Sequence, residues 1–391
     1  MTSSDERREL LALLTARKPT TPGQLRFWRL NQADPADPAY SWPWALRLPS
    51  PVDLTRLRRA VHEVLDRHDV LTSAFGWDDG ALWHESCGHT ELRVVDTDVQ
   101  TALREDNLRP FRLDEEPPIR VGLVDDVLLV NIHNIANDGW SMRVFVDELT
   151  RAYRGEALPE APLQYHQHAA RLGRWLGSRQ AEQQIAYWRR RLDGLEPRSG
   201  RSCQSTVERV RIPQETADLV RSLGRRFRAT PFMTLFALFA RLHGTRTGRD
   251  DVAIGTSVSG RSPDVERTIG YFVNRIVLRM NTSGTVEDLV RRARTTALEA
   301  FAHSQVPFEH LVERLYPTEY LAAAPLVDVM FVLDSGTGPV VEPEYRTSKF
   351  TLVVNVQPDA GGGLVIEAHH PAGAEHGVLQ DYARLLKGLT T

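Results

Sequence analysis

One junction constrains this chain more than any other feature. The run Val127-Leu128-Leu129-Val130-Asn131-Ile132 is apolar on both faces of a strand, and it passes without a break into His133-Asn134-Ile135-Ala136-Asn137-Asp138-Gly139-Trp140-Ser141. A strand of that composition belongs inside a sheet that is covered on both sides. Upstream, Ile119 to Val124 offers it a neighbour through a tight Asp125-Asp126 turn. Downstream, Met142, Phe145, Val146, Leu149 and Tyr153 recur at helical steps, with Ser141 the expected cap and Gly155 the stop. A polar loop is thus held between two buried elements, and rigid junctions of this kind are where chemistry is usually placed.

The remaining pattern alternates helices and strands in both halves. Asp53 to His68 reads as a helix capped by Asp53, with Leu57, Ala60, Val61, Val64 and Leu65 on one face. Residues 5–17 hold Leu10, Leu11, Leu13 and Leu14 among charges and suit a short amphipathic helix, closed by the breakers Pro19 to Gly23. A helical run through Trp175, Ile185, Trp188 and Leu192 ends at Pro197-Arg198-Ser199-Gly200, so the boundary between lobes is placed in 160–200. Strands are expected at Val207–Ile212, Val252–Gly255, Ile276–Leu278, Val327–Leu333 and Phe350–Val356, with Gly361-Gly362-Gly363 a turn. Helices are expected in Gln214–His243, broken near Thr230-Pro231, in Thr285–His303 and in Gly377–Leu386. No period of 20–50 residues repeats.

Composition removes several function classes. The 391 residues carry 48 basic and 51 acidic side chains, a formal charge of −3, so no basic footprint for nucleic acid is present. No apolar run approaches a membrane span, and the first residues lack a secretory signal, so a cytoplasmic protein without membrane contact is expected. Cys87 and Cys203 are isolated and read as small hydrophobes in a reducing compartment. GxGxxG, GxxxxGK[ST] and GxSxG are all missing, and nucleotide and flavin cofactors are not implied.

The ordered motifs point to one family. His133 through Ser141 fits HHxxxDGWS except at its second position, and other elements follow in order. Thr21-Pro22-Gly23-Gln24-Leu25-Arg26-Phe27-Trp28 looks like an SxAQxRLWxL opening, and Arg67-His68-Asp69-Val70-Leu71-Thr72 looks like RHExLRT. Tyr165-His166-Gln167-His168-Ala169 stands in place of YxDFA, with Tyr187-Trp188 beyond it. Gly255 to Arg261 resembles GxxxxGR, Ile269 to Asn274 resembles IGxFVN, Val306-Pro307-Phe308-Glu309 matches PFE, and Pro325 to Phe331 resembles PLFxVMF. From about residue 20 to 356 the chain therefore resembles the condensation domain of nonribosomal peptide synthetases, within the chloramphenicol-acetyltransferase-like superfamily.

That resemblance implies an α/β fold of two acetyltransferase-like lobes, about 1–170 and 171–391, forming a V-shaped pseudo-dimer with the motif loop at a tunnel. It implies no bound cofactor: substrates arrive as thioesters on the phosphopantetheine arms of partner carrier proteins. In the family the second His of the motif lies beside the attacking amine, and the Asp pairs with an Arg. Here Asp138 is expected to pair with Arg261, with Arg279 the second choice, because a buried carboxylate needs such a partner. His133 is expected to be architectural and Gly139 to allow the turn, since a side chain there would crowd the loop. Trp140, Ser141, Asn274 and His303 are the candidate tunnel residues; Trp140 also reads as packing and Asn274 equally as a sheet-edge hydrogen bonder.

The departures sit where they matter. The second His is Asn134, whose amide cannot take up a proton and so cannot supply general-base assistance of roughly 10²–10⁴-fold. It can still donate and accept hydrogen bonds. Thr72 stands where the family has Arg, and His166 and His168 replace the usual acidic and aromatic pair. A metal site from His133, His166 and His168 is not expected, because spacing fixes no third ligand. His369-His370 reads as a surface or tunnel-mouth pair. Two functions remain: a carrier-engaging domain with lost or altered condensation that recruits a partner, as the glycopeptide X domain recruits cytochrome P450 enzymes, or an active atypical condensation enzyme forming an amide or ester. Epimerisation would need a true base. The chain reads as a monomer, either free-standing or a domain of a larger synthetase.

Overall fold

The computed structural model describes residues 17–196, 203–318, 326–334, 346–373 and 377–389. The leucine-rich arm (residues 5–16), the 197–200 breaker and Pro325 lie outside the described residues. The chain divides into two compact units. One holds the described residues up to Arg179 together with Ser259–Val273; the other holds those of Gln180–Val258, Asn274–Gly336 and Tyr345–Thr391.

In the first unit the strands are β1 (Lys18–Pro19), β2 (Ser41–Arg47), β3 (Ser73–Asp78), β4 (Ala81–Ser86), β5 (Leu92–Val94), β6 (Ile119–Val124) and β7 (Val127–His133). The helices are α1 (Pro22–Ala33), α2 (Leu54–Arg67), α3 (Val99–Leu108), α4 (Gly139–Arg154) and α5 (Tyr165–Leu176). A four-stranded sheet runs β2-β7-β6-β5, and a three-stranded one β1-β4-β3. β7 is central and buried along its whole length, with His133 opposite Ser41 on β2. Its alternation splits the core as a pleated strand must. Leu128, Val130 and Ile132 join the main cluster with α2 and α4, whereas Val127 and Leu129 join a smaller one under α3. The hairpin to β6 turns at Asp125, whose φ of 51° lies in the left-handed region that short polar residues tolerate. Asp53 caps α2 by accepting the Arg56 N–H at 2.9 Å, and Leu57, Ala60, Val61, Val64 and Leu65 are all buried.

The second unit continues with α6 (Arg179–Leu192), β8 (Cys203–Ile212), α7 (Gln214–Arg226), α8 (Pro231–Thr247), β9 (Asp251–Val258), β10 (Asn274–Asn281), α9 (Val286–Ala302), α10 (Phe308–Leu315), β11 (Val329–Leu333), β12 (Arg346–Ser348), β13 (Leu352–Pro358), β14 (Leu364–Pro371) and α11 (Val378–Lys387). Its seven-stranded sheet has the order β10-β9-β11-β13-β14-β8-β12. β11 lies parallel to both neighbours, and Gly255 on β9 faces Met330 so closely that a Cβ would sit 2.3 Å from the Met330 sulfur. Helix α8 is buried all round from Met233 to Ala240, apolar there except for Thr234, and is accordingly a core helix.

Three expectations need correction. The cap of α4 is Asp138, which accepts the Ser141 N–H at 2.7 Å; Ser141 is the third helical residue, because the Asp138 carboxylate reaches the free N–H first. Cys87 is exposed rather than buried, lying just beyond the end of β4. His370 is 3% exposed and bonds Glu208 at 2.9 Å, so it is a partnered interior residue of β14 rather than a surface one.

Candidate functional site

The motif loop is built around a buried ion pair. Strand β7 delivers His133, a single 3-10 turn spans Asn134–Ala136, and Asp138 opens α4. Both Asp138 oxygens are used: Oδ1 accepts from the Ser141 N–H (2.7 Å) and Arg261 Nη2 (2.9 Å), and Oδ2 from the Phe272 N–H (3.0 Å). Arg261 in turn donates Nη1 to the Val265 and Thr268 carbonyls at 2.8 and 2.7 Å, and its guanidinium lies 4.0 Å from the centre of the Phe272 ring. With side chains 2% and 3% exposed, neither charge meets water, so their mutual attraction and these donors and acceptors must offset desolvation. Burial is the largest influence on Arg261 and pulls its pKa down, with Asp138 opposing it. Arg279, the alternative partner, pairs with Asp251 at 2.7 Å in the other unit.

Ser141 completes this knot. Its hydroxyl accepts from Arg261 Nη2 (2.7 Å) and the Gly270 N–H (3.0 Å) and donates to the Gly270 carbonyl (2.8 Å), which saturates it. The segment Ser259–Val273 is thereby stitched to the first unit. His68 Nδ1 accepts the Ile269 N–H at 3.4 Å while its Nε2 meets Glu148 at 3.0 Å, and the Tyr165 hydroxyl donates to the Tyr271 carbonyl at 2.6 Å.

Around this frame the individual candidates differ in what they have free. His133 is 4% exposed, accepts the Ile135 N–H on Nδ1 at 3.1 Å and meets the Phe27 and Phe111 rings edge-on. Asn134 is half-buried, and among the described residues its side chain makes no hydrogen bond. Asn137, which the motif leaves unspecified, is 1% exposed with neither amide atom partnered among the described residues. Such a group costs about 1–3 kcal/mol when left unmet, so it marks a residue that motif matching alone passes over. Trp140 is 40% exposed, donates Nε1 to the Glu266 carbonyl at 2.7 Å and has the Arg143 guanidinium 5.4 Å from its ring centre. A Cβ on Gly139 would meet only the Trp42 ring, at 3.5 Å, so the crowding expected there is absent.

Asn274 and His303 belong to the second unit. The Asn274 amide donates to the Ser304 and Val306 carbonyls (2.7 and 2.8 Å) and accepts the Phe308 N–H (2.8 Å), holding the turn that precedes α10. His303 ends α9 with its ring stacked 3.8 Å from Tyr187, its Nδ1 at 2.7 Å from the Glu299 carbonyl oxygen, and its own carbonyl accepting from Trp188. In the first unit His166 Nδ1 contacts Asp69 at 2.5 Å, and His168 lies against Phe272 and Tyr165, its pKa pushed down to about 4 mainly by burial. Thr72 is 9% exposed and donates to the Asp69 carbonyl. Among the described residues, no group of His, Cys, Asp or Glu is placed to hold a metal ion, and no helix is long and apolar enough to cross a membrane.

This fold, with a motif loop locked by a buried carboxylate–guanidinium pair, has clear counterparts. The family model for the condensation domain matches residues 16–369, and the chain belongs to that family. A linear gramicidin synthase polypeptide of Brevibacillus parabrevis is 35% identical over 397 residues, an alignment covering 88% of this chain and 8% of that protein. Surfactin synthase subunit 1 of Bacillus subtilis is 30% identical over 377 residues, covering 88% and 10% respectively. The chain thus spans about a tenth or less of the length of these synthetase polypeptides. Among solved structures, the X-domain from teicoplanin biosynthesis superposes with a TM-score of 0.82 at 25% identity, covering 95% of this chain and 94% of that one. The condensation domain of the monacolin K polyketide synthase MokA also gives 0.82, at 20% identity and 95% and 96% coverage. The architecture is the mixed α/β, chloramphenicol-acetyltransferase-like fold of condensation domains.

Proposed function

We propose that this chain engages carrier-bound thioesters of nonribosomal peptide synthesis with its condensation chemistry lost or altered, and that it acts as a docking domain for a partner such as a tailoring oxygenase. One observation carries the reading: the loop is braced at its helix end through Asp138, Arg261 and Ser141, while the position that should handle the proton presents the amide of Asn134. Bracing without a base preserves shape and removes proton transfer. The similarity to the teicoplanin X-domain, also solved as a complex with OxyB, supports recruitment as the retained role. Phosphopantetheine would come with the carrier protein, so the chain itself needs no cofactor.

A second reading, an active amide- or ester-forming enzyme, is favoured by a different observation. The Asn134 side chain is free of protein hydrogen bonds among the described residues and so is available to orient an amine that is already neutral. A product assay separates the two. Loaded donor carrier and acceptor amine are incubated with wild type, Asn134→Ala and Asn134→His. Docking predicts no wild-type turnover, with gain only in Asn134→His; wild-type turnover that collapses in Asn134→Ala overturns docking.

A further inference from the structure

Among the described residues the Asn134 side chain makes no hydrogen bond, so the direction of its amide is set by the backbone on either side. On one side stands His133, the last residue of β7, paired with Ser41. On the other stands Ile135, a 0% exposed core residue whose two backbone polar groups are both taken by side chains. His133 Nδ1 accepts the Ile135 N–H at 3.1 Å, and Gln24 Nε2 on α1 donates to the Ile135 carbonyl at 3.2 Å. The Asn134 carbonyl accepts the Asn137 N–H at 3.4 Å, which closes the turn.

The partners fix where the protons of this clamp lie. A ring nitrogen that accepts an N–H carries no proton, so His133 is neutral with its proton on Nε2. Gln24 is 0% exposed, and its Oε1 is occupied by the Thr21 N–H at 3.1 Å, so the amide cannot turn over and Nε2 must face Ile135. Capping α1 would be served equally by Glu at this position; what the amide adds is the donor. The Gln24 N–H donates to Thr21 Oγ1 (3.2 Å), and the Thr21 hydroxyl lies 3.2 Å from that of Tyr165. Tyr165 gives its one proton to the Tyr271 carbonyl at 2.6 Å, so Thr21 is the donor of that pair. A directed chain of hydrogen bonds thus runs from the first turn of α1 to the Ser259–Val273 segment, which also supplies the Phe272 N–H to Asp138.

We propose that Gln24 is a positioning residue for Asn134: with His133 in its Nε2–H form it holds both polar groups of Ile135, and so sets the direction in which the Asn134 amide points. The role rests on the reading of position 134 as the one that meets the reacting amine, but two of its tests need no turnover. In the full chain labelled with nitrogen-15 histidine, long-range proton–nitrogen correlation should show His133 with Nδ1 bare and Nε2 protonated at neutral pH; a protonated Nδ1 overturns the clamp. Labelled asparagine follows Asn134 itself, its side-chain resonances identified by their loss in Asn134→Ala. Gln24→Glu keeps the acceptor for Thr21 and puts a carboxylate, which cannot donate, against the Ile135 carbonyl. The Asn134 resonances should move from their wild-type positions at pH 8 and return as acid protonates this buried carboxyl, whose pKa burial raises. His133 and Tyr165, the other titratable groups of the clamp, are present in the wild-type control at each pH. Damage that is merely structural does not reverse with acid. Gln24→Met lacks donor and acceptor alike, should move the same resonances at every pH, and covers the case in which Gln24→Glu does not fold. Asn134 resonances unmoved in Gln24→Met overturn the proposal, as does a shift in Gln24→Glu that persists in acid. Where wild type or Asn134→His turns over, adding Gln24→Met should lower kcat about 10- to 100-fold with KM within about twofold, as misplacement of a reacting group does. An effect on KM alone overturns the positioning role, whereas absence of turnover in both proteins bears on the reading of position 134 and leaves the spectra to decide Gln24.

Discussion

Asp138 and Gly139 are adjacent in the motif, yet their side chains answer to different demands. Asp138 is the acceptor for three donors, and its partner Arg261 is 3% exposed, so deleting the guanidinium strands a carboxylate inside the unit. Arg261→Ala is expected to cost about 3–5 kcal/mol, read as a lowered urea midpoint with unchanged slope. Gly139 carries no comparable burden: it sits in the first turn of α4, and the nearest atom to a new Cβ is 3.5 Å away. Gly139→Ala should therefore shift stability by no more than about 1 kcal/mol in either direction. Equal losses in the two variants would show that the glycine is held by something other than space. The comparison also separates a residue kept for the frame from one kept for whatever approaches Asn134.

At the scale of elements, Asn274 shows how a side chain can stand in for secondary structure. It begins β10 and makes three hydrogen bonds to the Ser304–Phe308 turn, so β10 and α10 are joined through one amide. Asn274→Ala leaves two carbonyls and an N–H unmet and should cost about 2–4 kcal/mol in chemical unfolding. Asn274→Asp should be no better, because a carboxylate cannot donate to Ser304 and Val306. A loss confined to substrate turnover, with stability intact, would instead put Asn274 in a binding role. The same bonds explain what was legible in the sequence. Helices α2 and α4 and strands β6 and β7 announce themselves because their apolar periodicity is local. The insertion of Ser259–Val273 into the first unit does not, because it rests on polar bonds to residues more than a hundred positions earlier, such as Ser141 to Gly270 and His68 to Ile269. The Asp138–Arg261 pair was readable only through the family motif. The Asn137 amide, unpartnered among the described residues, had no signal at all, since it depends on what fails to arrive nearby.

Across the whole molecule, buried histidines set how stability depends on pH. His84 is fully buried, with Nδ1 at 3.0 Å from the Ser73 hydroxyl, and its pKa is pushed down to about 4, chiefly by burial and against the attraction of Asp69. His168 is pushed to about 4 as well, by burial first and then by Arg261. His68 and, in the second unit, His310 are lowered for the same leading reason. In the unfolded chain each returns to about 6.5, so below that pH the unfolded state binds protons that the folded state refuses. The stability these groups contribute is complete above pH 6.5 and is lost progressively down to about pH 4. For His84 and His168 the linkage relation gives on the order of 2 kcal/mol apiece between pH 7.5 and pH 5. Depressed carboxylates such as Glu367, held at about 2 by His369 and Arg209, add losses only at lower pH, because their unfolded values lie near 4. Urea unfolding at pH 7.5, 6.5, 5.5 and 5 should show stability falling throughout, and the fall should shrink by roughly half in the double variant His84→Asn/His168→Leu. A flat profile in wild type, or an undiminished slope in the double variant, would show that water reaches these imidazoles and that the interior of the first unit is more open than its packing indicates.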